Sequence, residues 1–169
     1  MQDEPRLTPA SYIVLGLLEG RGEATPYELK QLLAQSVGNF WSLQHSQLYT
    51  EPARLAAAGY VDEEREEGGR RRRRYRITEK GSRALRAWAA EPTGEAPELR
   101  DPGLLKLFFG GDPKPLAAAR LEAHRAKLAE YEALRGRDTG AGPRGPWLAL
   151  ESGIGHEREW MRFWAGLAQ

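Results

Sequence analysis

Residues 41–77, WSLQHSQLYTEPARLAAAGYVDEEREEGGRRRRRYRI, hold a Gln-rich turn, a helical pattern closed by Gly59 and two short extended runs tipped by arginines. Leu48 and Leu55 stand seven residues apart and predict one buried stripe, with Gln44, Ser46, Gln47, Thr50 and Arg54 on the other faces. Gly59 sits where a left-handed helix C-cap is wanted. Tyr60 to Glu67 then reads as a strand, Gly68-Gly69 as turn chemistry and Arg71 to Ile77 as the return strand of a two-stranded ribbon.

Short amides, hydroxyls and a guanidinium are groups that read base edges and phosphates in a major groove. The ribbon carries six arginines, Arg70, Arg71, Arg72, Arg73, Arg74 and Arg76, interrupted only by Tyr75. That density makes a local positive electrode for phosphates. The outgoing strand is acidic, however, with Asp62, Glu63, Glu64, Glu66 and Glu67. An odd loop length would set Val61 and Ile77 on the core face and Glu64 and Glu66 opposite Arg74 and Arg72, neutralising part of the run. The segment therefore has two readings, a groove helix with a basic wing and a solvated, salt-bridged hairpin.

Leu48-Tyr49, Arg54-Leu55, Ala58-Gly59-Tyr60-Val61, the run Arg74 to Gly81 (RYRITEKG), and the trailing Leu85 and Trp88 resemble the PadR family of transcriptional regulators. The words LRDP at Leu99–Pro102 and LLKLFF at Leu104–Phe109 are similar to the C-terminal region of the PadR relatives akin to virulence activators. One departure is visible. The position after Tyr49, often proline in the family, is Thr50, and proline stands at Pro52. A proline inside a helix costs about 3 kcal/mol and one backbone donor, so either the helix kinks there or its regular part starts near Thr50.

The chain has 169 residues, 40% hydrophobic and 29% charged, as in a soluble globular protein. No run approaches a membrane span. The start, MQDEPRLTPA, lacks the basic and hydrophobic blocks of a signal peptide, so the expected compartment is the cytoplasm, and the resemblance implies a bacterial one. Zero cysteines exclude disulfides, thiolate metal sites and cysteine nucleophiles. Residues 1–92 carry 14 Lys+Arg against 13 Asp+Glu, and residues 93–169 carry 11 against 11. Neither half is basic, which predicts weak nonspecific DNA binding.

Thr8-Pro9 opens a first helix with the pairs Ile13/Leu17 and Val14/Leu18, ended by Gly20-Arg21-Gly22. Thr25-Pro26-Tyr27-Glu28 is a capping box for a second helix through Leu29, Leu32 and Leu33 to Gly38. The resemblance places Tyr27 near the DNA backbone; packing or capping is the plain alternative. Thr78 caps a fourth helix with Leu85, Trp88 and Ala89 on one side. Pro92 to Pro97 reads as a linker, and the block Leu104–Phe109 is expected to be buried.

From Leu116 to Leu134, Leu121, His124, Leu128 and Tyr131 follow a 3-4-3 spacing and make a narrow seam. Gly136 to Gly145 breaks that helix without the spacing of a phosphate loop, and a last helix, Trp147 to Leu167, repeats Trp147, Leu150, Ile154, Met161 and Trp164. Two seamed helices with a short loop form a hairpin that one small domain cannot fully cover; an uncovered seam predicts a dimer contact, and the resemblance implies homodimers held by C-terminal helices.

The expected architecture is mainly α with a small β-hairpin: a winged helix-turn-helix domain over 1–92 and a helical dimerisation domain over 93–169. The expected partners are double-stranded DNA and a second copy of the chain; Trp147, Trp160 and Trp164 either only fill the interface or hold a small aromatic effector, as the resemblance to family repressors that respond to phenolic acids implies. No membrane and no cofactor enter. The DNA-binding set is Tyr27, Gln44, Ser46, Gln47, Tyr49, Thr50, Arg54 and Arg70 to Arg74. Two-fold symmetry implies a pseudo-palindromic operator with recognition helices roughly 34 Å apart. His45, His124 and His156 are scattered, no catalytic motif appears, and His156-Glu157-Arg158-Glu159 reads as an ion-paired helix face. The competing function is a winged-helix interaction module whose arginines meet an acidic partner.

Overall fold

The computed structural model describes residues 5–65 and 72–169. The chain divides into two compact units between Glu95 and Ala96, inside the Pro92–Pro97 stretch.

In the first unit, α1 (Pro9–Arg21) follows Thr8, whose N–H donates to Ser11 Oγ at 2.8 Å, and runs through Gly20 to end at Gly22. The two-residue strand β1 (Glu23–Ala24) leads to α2 (Pro26–Ala34). The expected capping box is present there: Thr25 N–H donates to Glu28 Oε2 at 2.8 Å, and Glu28 N–H donates to Thr25 Oγ1 at 3.3 Å. The Thr25 N–H, and after it the Thr25 hydroxyl, which donates to Glu28 Oε2 at 2.9 Å, hold the Glu28 carboxyl below its ordinary pKa. A 3₁₀ turn, Val37–Asn39, takes up the rest of the length read as helix to Gly38.

Helix α3 (Gln47–Ala57) contains Pro52, so it neither starts near Thr50 nor stops at the proline. Its C-terminus is a Schellman cap. Gly59 adopts φ +75°, Gly59 N–H donates to Ala56 O at 3.0 Å, and Tyr60 N–H donates to Leu55 O at 2.9 Å. Strands β2 (Val61–Arg65) and β3 (Arg73–Ile77) pair with Val61 opposite Ile77 and Glu64 opposite Arg74, the register expected for an odd loop. Glu66 to Arg71, with the Gly68-Gly69 turn and the tip arginines, lie outside the described residues.

The ribbon is not two-stranded. β1 adds to β3, with Glu23 opposite Arg76 and Ala24 opposite Tyr75, giving the order β1-β3-β2. A two-residue strand has no periodicity to read; only the fold brings it to β3. Helix α4 (Glu79–Ala90) is capped by Thr78 Oγ1, which accepts from Gly81 N–H at 3.2 Å. Trp88 is half exposed and stacks on Tyr12 with ring centroids 4.5 Å apart, and Ala89 is exposed.

One core joins these elements: Val14, Leu15 and Leu18 from α1, Ala24, Leu29 and Leu33, Leu48 and Leu55 from α3, and Tyr60, Val61 and Tyr75 from the sheet. Burying a leucine contributes about 1.5–3 kcal/mol, so Leu48 and Leu55, both at 0% exposure, fix which face of α3 turns outward.

In the second unit, Asp101 caps α5 (Pro102–Phe108), accepting from Gly103 N–H at 2.7 Å and Leu104 N–H at 3.2 Å, and takes Arg120 Nη2 at 2.6 Å. Helices α6 (Pro113–Gly136) and α7 (Arg144–Leu167) pack along each other as an antiparallel hairpin, with Arg135 facing Glu151 and His124 facing Glu157.

Two expectations are corrected here. The block Leu104–Phe109 is not buried as a whole: Leu104 and Leu107 join the core, while Leu105, Phe108 and Phe109 are 60%, 83% and 78% exposed. A seven-residue helix has only one inward face. The expected hairpin of α6 and α7 is present, but it covers more of the two seams than expected. Leu121, Tyr131, Ile154 and Trp164 are buried within the single chain, Leu128, Leu150, Trp160 and Met161 are half-buried, and Trp147 is exposed.

Candidate nucleic-acid interface

The buried stripe of α3 leaves a polar surface. Gln44, Ser46, Gln47, Tyr49 and Thr50 are all exposed, Tyr49 at 51%. Local hydrogen bonds hold several of them: Gln44 N–H donates to Gln47 Oε1 at 3.2 Å, and Thr50 Oγ1 donates to Ser46 O at 3.1 Å. Tyr27 on α2 is 61% exposed, its hydroxyl accepting from Gln31 Nε2 at 3.2 Å, so it does not pack in the core.

Arg54, expected in the DNA-binding set, is bonded to its own chain. Its Nε donates to Glu51 Oε2 at 3.0 Å, and its Nη2 donates to Glu51 Oε1 at 2.6 Å and to Ser11 Oγ at 2.9 Å. Nη1 donates to Arg6 O at 3.4 Å. The fork ties α3 to α1 and to the chain before it.

Glu51 is 9% exposed and also accepts from the fully buried Ser11 hydroxyl at 2.6 Å. Burial acts to raise its pKa, but the hydrogen bonds from Arg54 and Ser11 outweigh it and hold the carboxyl below its ordinary value. Proline at 52 removes the helical bond that its N–H would make, and this network on the preceding residue secures the same turn from outside the helix. The only sequence signal for it was the i, i+3 spacing of Glu51 and Arg54; Ser11 lies forty positions away.

The wing strands are more neutral than their arginine count suggests. Glu23 on β1 accepts from Arg74 Nη1 at 3.3 Å and Arg76 Nη2 at 3.0 Å. Glu63 accepts from Arg65 Nε at 2.7 Å and from the Tyr75 hydroxyl at 3.0 Å, and Arg73 Nε stands 3.7 Å from it. The bond from Arg65 leads the contacts that keep Glu63 below its ordinary pKa against its partial burial. Arg72 is exposed, and Arg70 and Arg71 lie outside the described residues. The role of Glu23 was invisible in the sequence, because its partners lie more than fifty positions away.

In the second unit, Phe163 meets Trp160 and Trp164 edge to face, with centroids 5.9 and 5.1 Å apart. Trp164 itself is sealed in the core, so of the three expected effector tryptophans only Trp147 and Trp160 reach the surface. His124 stacks on Trp160 at 6.1 Å, with its Nδ1 2.6 Å from Glu157 Oε2. Glu157 and Arg158 both pair with side chains of α6, His124 and Glu132, while Glu159 pairs with Arg162 along α7 itself.

An exposed polar helix, a sheet-borne wing and a hydrophobic three-helix base find their match in comparisons with known families. The model of the Transcriptional regulator PadR-like family matches residues 14–87, and that of the Virulence activator alpha C-term matches residues 99–165. Over residues 14–87 the chain is PadR-like. The negative transcriptional regulator PadR of Bacillus subtilis is 27% identical over 128 residues, 72% of this chain and 70% of the relative. The fold matches that of Bacillus subtilis PadR in complex with operator DNA with a TM-score of 0.82 at 22% identity, over 97% of this chain and 100% of the other. It also matches Bacillus subtilis PadR in complex with p-coumaric acid, with a TM-score of 0.74 at 22% identity over 96% and 97%. The winged-helix architecture is therefore that of PadR-like regulators, a family of transcriptional regulators and not of enzymes.

Proposed function

We propose that this PadR-like chain is a sequence-specific DNA-binding repressor, acting as a homodimer on a pseudo-palindromic operator and released by a small aromatic effector. The observation that carries the reading is the exposed face of α3. Gln47, Tyr49 and Thr50 are exposed where Leu48 and Leu55 are buried, and the Glu51–Arg54–Ser11 network anchors the helix from behind. Amides and hydroxyls on a rigid helix suit base edges in a major groove, and the arginine-bearing ribbon suits flanking phosphate.

The operator complex of a protein with the same fold supports the DNA partner, and the relative's description as a negative regulator supports repression. The p-coumaric acid complex supports an aromatic effector, for which the half-exposed Trp147 and Phe163 offer aromatic surface. Homodimerisation rests on the apolar surface that the second unit leaves to solvent, Leu105, Phe108 and Phe109 above all.

Selection of bound fragments from random duplex DNA tests the reading. An enriched, roughly symmetric site is expected; a bound pool without one overturns it. Titration with phenolic acids, followed by tryptophan fluorescence and operator affinity together, tests the effector. Binding that leaves operator affinity unchanged removes the switch.

A further inference from the structure

Directly paired residues in an antiparallel ladder share a face, so the register collects Glu23, Asp62, Glu64, Arg74 and Arg76 on one side of the sheet. The alternate positions Ala24, Val61 and Tyr75 are buried, so this side is the outer one. Three carboxylates therefore stand among two guanidiniums, and Glu23 takes a hydrogen bond from each of them. On the same strands Arg65 and Arg73 have Glu63 within 4.0 Å. Each described strand arginine faces an acid of its own chain.

Such exposed pairs contribute about 0–1 kcal/mol each to stability, so the fold has little need of them. Their larger effect falls on phosphate attraction. A guanidinium already beside a carboxylate releases no counterion from DNA unless it first gives up its partner, and sequence-independent affinity comes almost wholly from such release.

We infer that Glu23 is a specificity-determining residue: by occupying Arg74 and Arg76 it keeps the body of the wing from binding phosphate regardless of sequence, leaving discrimination to α3. This rests on the DNA-binding reading. A net charge of +1 for the whole chain accords with it, since a regulator held only by geometry gains from a low background.

The test is Glu23→Gln in the full chain, with binding to a random-sequence duplex followed by fluorescence anisotropy over a salt series. Glu23→Gln is expected to bind that duplex more tightly, and its log affinity to fall with log salt more steeply by about 0.9 for the released Arg76 guanidinium. Removing that side chain as well, with Arg76→Ala, should cancel the gain, and Glu23→Asp should restore the wild-type slope. A folded Glu23→Gln chain with wild-type affinity and slope overturns the inference and leaves the DNA-binding reading standing. A wild-type chain that binds no duplex at any salt overturns both. If Glu23→Gln fails to fold, Arg74→Ala with Arg76→Ala in the otherwise wild-type chain puts the same question: an unchanged slope on the random duplex is expected, and a shallower one means that the pair reaches phosphate despite Glu23 and overturns the inference.

Discussion

Ser11, Glu51 and Gly81 carry more of the fold than their sizes suggest. A Cβ built on Gly81 would lie 2.2 Å from Tyr60 O, 2.8 Å from Ile77 Cγ1 and 3.1 Å from Leu15 Cδ2. The first of these is backbone and cannot swing aside. Gly81→Ala should therefore destabilise the first unit by about 1–3 kcal/mol in urea unfolding, although alanine is the better helix former. Ser11→Ala should cost about 1–3 kcal/mol, because it takes a donor from a carboxylate that is 9% exposed. Glu51 also gives stability an acid limb. A carboxyl held below its ordinary pKa in the fold stabilises fully above the ordinary carboxylate range, and that contribution disappears as pH falls through the lowered value. Unfolding curves from pH 7 to pH 3 should show this loss, and Glu51→Gln should make it shallower.

At the scale of elements, α3 separates two kinds of side chain that the sequence presents side by side. Leu48 and Leu55 anchor it, and Gln47 and Thr50 face outward. Gln47→Ala or Thr50→Ala should cost about 1–3 kcal/mol of operator discrimination with little change in melting temperature. Equal losses on operator and random DNA would mean that these residues do not read bases. The local signals of this unit were legible: Thr25 with Glu28, Thr78, and Gly59 at +75° are each decided within a few residues of chain. The third strand was not, since β1 has two residues and its pairing with β3 spans fifty positions.

Across the whole molecule, the two units pose different problems. The first closes its core around the stripes the sequence predicts. The second uses its predicted seam internally, α6 against α7, and leaves Phe108 and Phe109 to solvent. Phe108→Ser with Phe109→Ser should therefore lower self-association in sedimentation velocity while helix content stays constant; an unchanged association state would move the proposed dimer contact elsewhere. Inserting flexible residues between Glu91 and Arg100 should abolish operator binding and leave the association state intact, if two reading heads must match the repeat of the duplex.

Periodicity, caps and turn chemistry act within about one helical turn, so the sequence alone determined where α1, α2, α4, α6 and α7 lie and that Leu48 and Leu55 face inward, while the register of β2 on β3 stayed conditional on the loop length. The partner of each charge and the cover of each apolar seam depend on segments brought together from far along the chain. Only the tertiary structure decided that Arg54 turns back to Glu51 and Ser11, that Glu23 meets Arg74 and Arg76, and that Trp164 is closed off from solvent. An arginine reads the same in sequence whether its counter-charge is a phosphate or a carboxylate fifty residues away, and distance in space, not along the chain, selects between them.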